Sequence, residues 1–302
     1  MPKIFVLLPL VVLIASCHGG GHPAPATAKG YHLRFNPSDS SRYQYHTTSQ
    51  TEINVTEGAT TYRIQRIWQF RVDYLFNKDS DEFVLEMTFD TIDFHERDSR
   101  TGEADAAAVP PVPDLLKQMK NSTIFGRVRP SNQMITLGWS HGVIAPVMNA
   151  YYAEADRAKA SEYWGHWVED ELVWKNLDPF AWVKLDSAGR PGDHWVDTKT
   201  NERDMYFKIN KRLWFDRLDA AVATVRSQGR ITSGPGGGSL WGQPAKGSVE
   251  GVEGGKCLVD TVTGMPLALA DTITAEGNWQ VAGRMARVKF VALVTMTGGK
   301  MN

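Results

Sequence analysis

The feature that most constrains this chain is an alternation of period two that lasts from Thr60 to Phe76. Its even positions read Tyr62, Ile64, Arg66, Trp68, Phe70, Val72, Tyr74 and Phe76, and its odd positions are mostly polar, with Ile67 and Leu75 as exceptions. Side chains of a strand point alternately to its two faces, so the pattern predicts one strand with an apolar face. At about 3.3 Å per residue it would run roughly 55 Å if straight, well beyond the usual strand. Such lengths persist when a sheet twists and coils around something, so a curved sheet over a core is expected.

Its neighbours extend the pattern. Tyr43 to Val55 alternates too, and Glu57-Gly58 supplies a hairpin turn. Asn77 to Asp81 reads as the next turn, and Phe83, Leu85, Met87 and Phe89 as the apolar face of a third strand. Residues 95–114 read as a surface loop, leading into a short helix from Asp114 to Lys120. Thr123 to Val128 and Gln133 to Leu137 read as a hairpin.

From about Ile144 to Leu177 the spacing becomes helical. Tyr163, Trp167, Glu171 and Trp174 share one helix face, and Trp164, Val168 and Leu172 share the adjoining one. Gly165 and the composition of Tyr151 to Ser161 divide the stretch into two helices, and Glu169-Asp170-Glu171 reads as a solvated turn. Strands return at Asp204 to Leu218, Ala220 to Ile231, Gly247 to Val262, Leu267 to Glu276 and Trp279 to Thr297. Thr263-Gly264 and Glu276-Gly277-Asn278 are read as the turns between the last three. The expected fold class is α+β: a mostly antiparallel, strongly curved β-sheet, open or half barrel, whose two groups of strands flank a central helical insert.

The N-terminus carries an address. Lys3 precedes an apolar run from Ile4 to Ile14, broken by Pro9 alone. Such a run is too short to span a bilayer as a helix and suits a signal peptide. Leu13-Ile14-Ala15-Ser16-Cys17 then resembles the lipobox of bacterial lipoproteins, which implies lipid on the Cys17 sulfur and cleavage before it. The chain accordingly divides into a signal peptide at 1–16, a Gly/Pro/Ala-rich tether at 17–29 and one domain at 30–302. No acidic residue follows Cys17 closely, which points to the periplasmic face of the outer membrane. With Cys17 lipidated, Cys257 lacks a partner and reads as a small buried hydrophobe.

Chemistry is sparse. The 33 basic and 34 acidic residues leave no basic excess for nucleic acid. His95-Glu96 lacks the second histidine of a zinc protease motif, and there is no Gly-x-Ser-x-Gly elbow. Ser233-Gly-Pro-Gly-Gly-Gly238 lacks the Lys-Ser/Thr of a phosphate loop. No catalytic set, metal site or cofactor is expected. Two cations interrupt apolar faces: Arg66 beside Trp68 and Phe70, and Lys211 between Phe207 and Phe215. They could hold an anionic lipid group within a shared interior. The commoner fate of such cations is to sit near a sheet edge or mouth and reach into water. With Trp167, they form the expected ligand-binding set.

Asp39-Ser-Ser-Arg-Tyr43, Gly192-Asp193-His194-Trp195 and Val259-Asp260-Thr-Val-Thr-Gly264 together resemble short motifs of a group of uncharacterised bacterial lipoproteins carrying a domain of unknown function. The likeness spans most of residues 30–298, implies no activity, and leaves out the aromatic helix from Tyr163 to Trp174. The long strands and helical segment also resemble, more distantly, lipoprotein carriers whose curved sheet half-wraps helices over an apolar cavity. The expected role is a lipid-anchored, non-enzymatic protein that binds a lipid or other apolar ligand. The alternative is a structural or interaction lipoprotein with a filled core. Metabolic labelling with palmitate in a bacterial host is expected to mark the wild-type chain and to leave Cys17→Ser unlabelled. Equal labelling of both would remove the lipobox reading.

Overall fold

The computed structural model describes Leu33 and residues 35–100, 110–120, 122–129, 134–138, 141–183, 191–201, 207–233, 238–240, 243–281 and 283–301. The lipobox with Cys17, the tether and most of the Ser233–Gly238 loop lie outside them. Three long strands open the described chain: β1 (Ser41–Glu57), β2 (Thr60–Asp79) and β3 (Glu82–Asp98). Helix α1 (Val112–Lys120) leads to β4 (Thr123–Val128) and β5 (Met134–Gly138). The helical insert follows: α2 (His141–Tyr151), α3 (Glu154–Val168), a π-helical segment (Glu169–Trp174), one further α turn, and a 3-10 turn (Asp178–Trp182). The remaining strands are β6 (His194–Asn201), β7 (Phe207–Asp219), β8 (Val222–Ser233), β9 (Gly238–Leu240), β10 (Gln243–Asp260), β11 (Pro266–Val281) and β12 (Arg284–Lys300).

All twelve strands among the described residues belong to one open sheet, in the order β5-β4-β3-β2-β1-β12-β11-β10-β8-β7-β6, with β9 pairing onto β10. The expected two groups of strands are therefore continuous. The first and last strands join them in an antiparallel ladder from Tyr43↔Lys300 to Thr56↔Arg287. In the chain, the helical insert links β5 at one sheet edge to β6 at the other.

Period two decides which side chains face inward. Tyr43, Tyr45, Ile53 and Val55 of β1 are buried, as are Ile64, Trp68, Phe70, Val72, Tyr74 and Phe76 of β2. In β3 a bulge opposite Arg71/Val72 resets the phase, so Phe83 to Phe89 and then Phe94 face the same side. The helices bury Val143, Ile144, Val147, Met148, Val168, Leu172 and Val173 in the larger core cluster. The smaller cluster, around Ile53, Ile64, Phe207, Ile231, Trp279 and Val288, consists of strand residues only. Within it the rings of Phe207 on β7 and Phe290 on β12 lie 6.1 Å apart. Three strands separate them, so in a flat sheet about 19 Å would lie between their backbones. The sheet is curved.

Several boundaries differ from the sequence expectation. Strand β2 runs through Asn77 and Lys78, and the turn falls at Ser80, whose φ is 57°. The two helices part at Tyr152-Ala153, and Gly165 lies within α3. Strand β6, which contains His194 and Trp195, was not expected as a strand. The largest correction is Glu276-Gly277-Asn278, which lies inside β11 and pairs with Ser248 to Glu250 of β10. Gly277 is there for space: a Cβ on it would stand 1.7 Å from the Ser248 carbonyl oxygen and 2.9 Å from the Val249 Cα. Both obstacles are backbone, which cannot swing aside. Gly277→Ala is expected to cost about 1–3 kcal/mol of folding stability, as overpacking does. Urea unfolding checks this, and an unchanged midpoint would mean the strands part without penalty.

Candidate functional site

Of the five residues singled out for ligand binding, Arg66, Trp68 and Phe70 lie together on β2, and Trp167 meets them from α3. Trp68, 1% exposed, stacks on Phe94 with centroids 3.9 Å apart and faces Phe70 at 5.3 Å. Trp167 of α3 closes over this pair, 5.6 Å from Trp68 and 6.1 Å from Phe94. From Trp167 the rings continue to Trp164 at 5.6 Å and on to Tyr163 at 5.1 Å. Tyr163 is 64% exposed, so one unbroken seam of rings leads from the core to the surface. The Trp164 indole donates to the Tyr152 hydroxyl at 2.8 Å, which fixes its tilt.

Charged pairs flank the seam. Arg66 pairs with Glu96, its cross-strand partner on the inner face of β3. Glu171 accepts a hydrogen bond from the Trp68 indole at 3.1 Å and pairs with Lys175. The Lys175 ammonium also lies 5.6 Å from the centroid of the Trp68 ring, within cation–π range. Glu169-Asp170-Glu171 is thus not the expected solvated turn. The three open a π-helical segment whose Leu172 and Val173 are fully buried, and the Glu171 side chain is only 22% exposed. Such segments are rare and recur at functional sites. Burial opposes ionisation of Glu171, but the charges of Lys175 and Arg66 and the Lys175 and Trp68 hydrogen bonds outweigh it. Its carboxyl is held below the ordinary range.

Lys211 stands apart from this group, in a buried polar cluster. Its side chain is 3% exposed, which corrects the expectation that it reaches into water. Its Nζ lies 3.0 Å from Glu253 Oε1 and 3.4 Å from Asp271 Oδ2. It also stands over the Trp182 ring, 4.5 Å from the centroid. Ser227 donates to Glu253 Oε1 at 2.7 Å. Two glycines clear the room. Gly229 lies in register between Lys211 and Glu253, and a Cβ on it would stand 2.8 Å from Glu253 Oε2. Gly255 pairs with Asp271, and a Cβ there would meet the Trp182 ring at 2.6 Å. Burial first, then the neighbouring Glu253, pushes the Asp271 carboxyl up to about 7 against the pull of Lys211.

Sequence reasoning named Arg66, Trp68, Phe70, Trp167 and Lys211, but missed the carboxylates that face them. Glu96 sits beyond the β3 bulge, which no sequence pattern revealed. Glu253 and Asp271 were legible in principle. Period two places Glu253 with Val249, Cys257 and Val259, and Asp271 with Leu269 and Ala275, all of them buried. Cys257 is buried and free, as expected, and burial pushes its thiol up to about 12.

An open concavity of about 480 Å³ lies where β1, β2 and β3 meet the end of α1, and another of about 620 Å³ lies against the outer face of β7, β8 and β10. The first is lined by His46, Gln69, Asp93 and Lys120, among others, and the second by Arg212, Arg230, Glu250 and Glu276. Among the described residues, no three His, Cys, Asp or Glu side chains are grouped to hold a metal ion. Likewise, no described helix is long and apolar enough to cross a membrane. No family model and no curated protein matches the chain. Among solved structures it is similar to DynF from the dynemicin biosynthesis pathway of Micromonospora chersina, at 7% identity over 92% of each chain. The TM-score is 0.22, too low to carry any argument.

The Glu171 linkage has a definite sign. A carboxyl whose folded pKa is lowered contributes stability above its unfolded pKa and loses it as pH falls through the folded value. Glu171→Gln is therefore expected to cost about 1–2 kcal/mol at neutral pH. The gap should close as the pH drops below about 4. Urea midpoints across that range check it, and a gap that persists in acid would show that the charge is not the source.

Proposed function

We propose that this chain is an exported bacterial lipoprotein, held by lipid on Cys17 to the periplasmic face of the outer membrane, and that it binds a lipid or other apolar ligand without catalysis. In this reading the sheet is a strongly curved half barrel, and α3 with its π-helical continuation is the cover over its inner face. The observation that carries the reading is the aromatic seam from buried Trp68 to exposed Tyr163. Apolar rings that run unbroken from core to solvent offer an acyl chain a path inward. The Arg66–Glu96 and Lys175–Glu171 pairs beside it offer charged partners to a head group.

A second reading has its own observation. Trp68 and Phe94 are in close contact at 3.9 Å, and the larger of the two concavities is lined by strand residues alone, away from the helices. That packing suits an envelope protein with a filled core that acts through its surface.

The two readings part in one experiment. The domain from about Ala28, lacking Cys17, is purified without detergent from a bacterial host, and its organic extract is analysed by mass spectrometry. The first reading expects a stoichiometric lipid. It also expects Trp167→Ala to weaken uptake of a fluorescent fatty acid by about tenfold, the order of one lost aromatic contact. A protein that emerges empty and takes up no probe favours the filled core.

A further inference from the structure

The Lys211 cluster brings together, out of water, an amine, a carboxyl group and a second carboxyl able to carry a proton. Glu253 and Lys211 are 2% and 3% exposed, and Asp271 is 9% exposed. Nζ of Lys211 reaches one oxygen of each carboxyl, at 3.0 and 3.4 Å. The other two oxygens, Glu253 Oε2 and Asp271 Oδ1, are buried without a hydrogen-bond partner. Two adjacent carboxylates cannot satisfy each other, but a single proton held between them can.

We propose that Lys211 and Asp271 become joined by an intramolecular isopeptide bond between Nζ and Cγ, with Glu253 as the proton carrier. Glu253 takes one proton from the Lys211 ammonium. The freed electron pair on Nζ attacks Cγ of the protonated Asp271, and a tetrahedral intermediate forms. The bond from Cγ to the hydroxyl then breaks, and the hydroxyl leaves as water with the second proton from nitrogen, passed through Glu253. The third proton of the ammonium stays on the new amide nitrogen. Glu253 ends neutral, able to donate to the new amide. One ammonium, one carboxylate and one carboxylic acid become an amide, a carboxylic acid and water. No oxidant, metal or further reactant takes part.

The surroundings favour this step. Burial raises the Asp271 carboxyl to about 7, so near neutral pH a large share of it is the acid, whose carbon is electrophilic as a carboxylate's is not. The Trp182 ring covers the ammonium, and exclusion of water favours condensation over hydrolysis. The reaction also removes a pair of opposite charges from a medium in which ions are costly. Gly229 and Gly255 serve it by leaving room for the Glu253 and Asp271 carboxyls and the Trp182 ring, which a Cβ at either position would meet. The bond would tie β7 to β11, across β8 and β10, between residues 60 apart in the chain. This inference stands independently of ligand binding.

Mass spectrometry of the full chain, expressed in a bacterial host, denatured and digested with trypsin, tests it. The expected product is a branched peptide that joins the Lys211 segment to the Asp271 segment. It should be lighter than their sum by one water, with no cleavage after Lys211. Separate peptides from folded wild-type protein, with cleavage after Lys211, would overturn the proposal and leave an ion-paired cluster only. Glu253→Gln, shown folded by circular dichroism, is expected to give the two separate peptides. Branching at the wild-type yield in that variant would overturn the role of Glu253. Should Glu253→Gln fail to fold, Glu253→Asp keeps a carboxyl one methylene further away. It is expected to branch measurably more slowly than wild type, and an equal rate would again remove the carrier.

Discussion

The pairing of the first strand with the last is the constraint on which the rest of the structure depends. Without the β1–β12 ladder, the strands before the helices and those after them would each end in a long unpaired edge. Such edges invite pairing with other chains. With it, one sheet presents one apolar face, and the chain segment that connects its two free edges packs against that face together with α1. The order of elements along the chain and the location of the core are thus one fact. The helices have little else to bury against.

Most of this frame was legible because strand periodicity is a local property. The alternation in β1 to β3 named nearly every inward side chain of the first half, and the length of the alternation in β2 implied curvature. What escaped was non-local. A strand glycine that makes room for a neighbouring backbone looks, in sequence, like a turn glycine, which is why Gly277 was misplaced. Likewise, Glu169-Asp170-Glu171 has the composition of a solvent face. Glu171 turns inward because the segment winds as a π-helix and because Trp68 and Lys175 meet it there. Lys175 lies one helical turn away, but Trp68 is 103 residues distant in the chain, and its contact is not written in the local sequence.

The two charged groupings show how differently a sheet interior treats polar residues. At the aromatic seam the charges lie at the border, partly exposed, and each is paired by a neighbour of opposite sign. That arrangement suits a surface that meets other molecules. Around Lys211 the charges are buried between apolar layers, with more acceptors than one lysine satisfies. A buried ion cluster of that kind is weak evidence for stability, because desolvation offsets much of the attraction. Its chemistry is the more informative property. Both groupings were half visible in sequence as cations on apolar faces, and in both the partners came from strands or helices distant in the chain.

The account's central claim is that the β1–β12 ladder makes the two halves of the strand array one cooperative unit. Native-state hydrogen exchange on the soluble domain tests it most directly. The account expects the amides of β1 and β12 to exchange only through global unfolding, with the same opening free energy as the central residues of β2 and β11. Earlier exchange along β1 and β12, with two separate opening energies on either side of the ladder, would show two units that meet at a seam and contradict it.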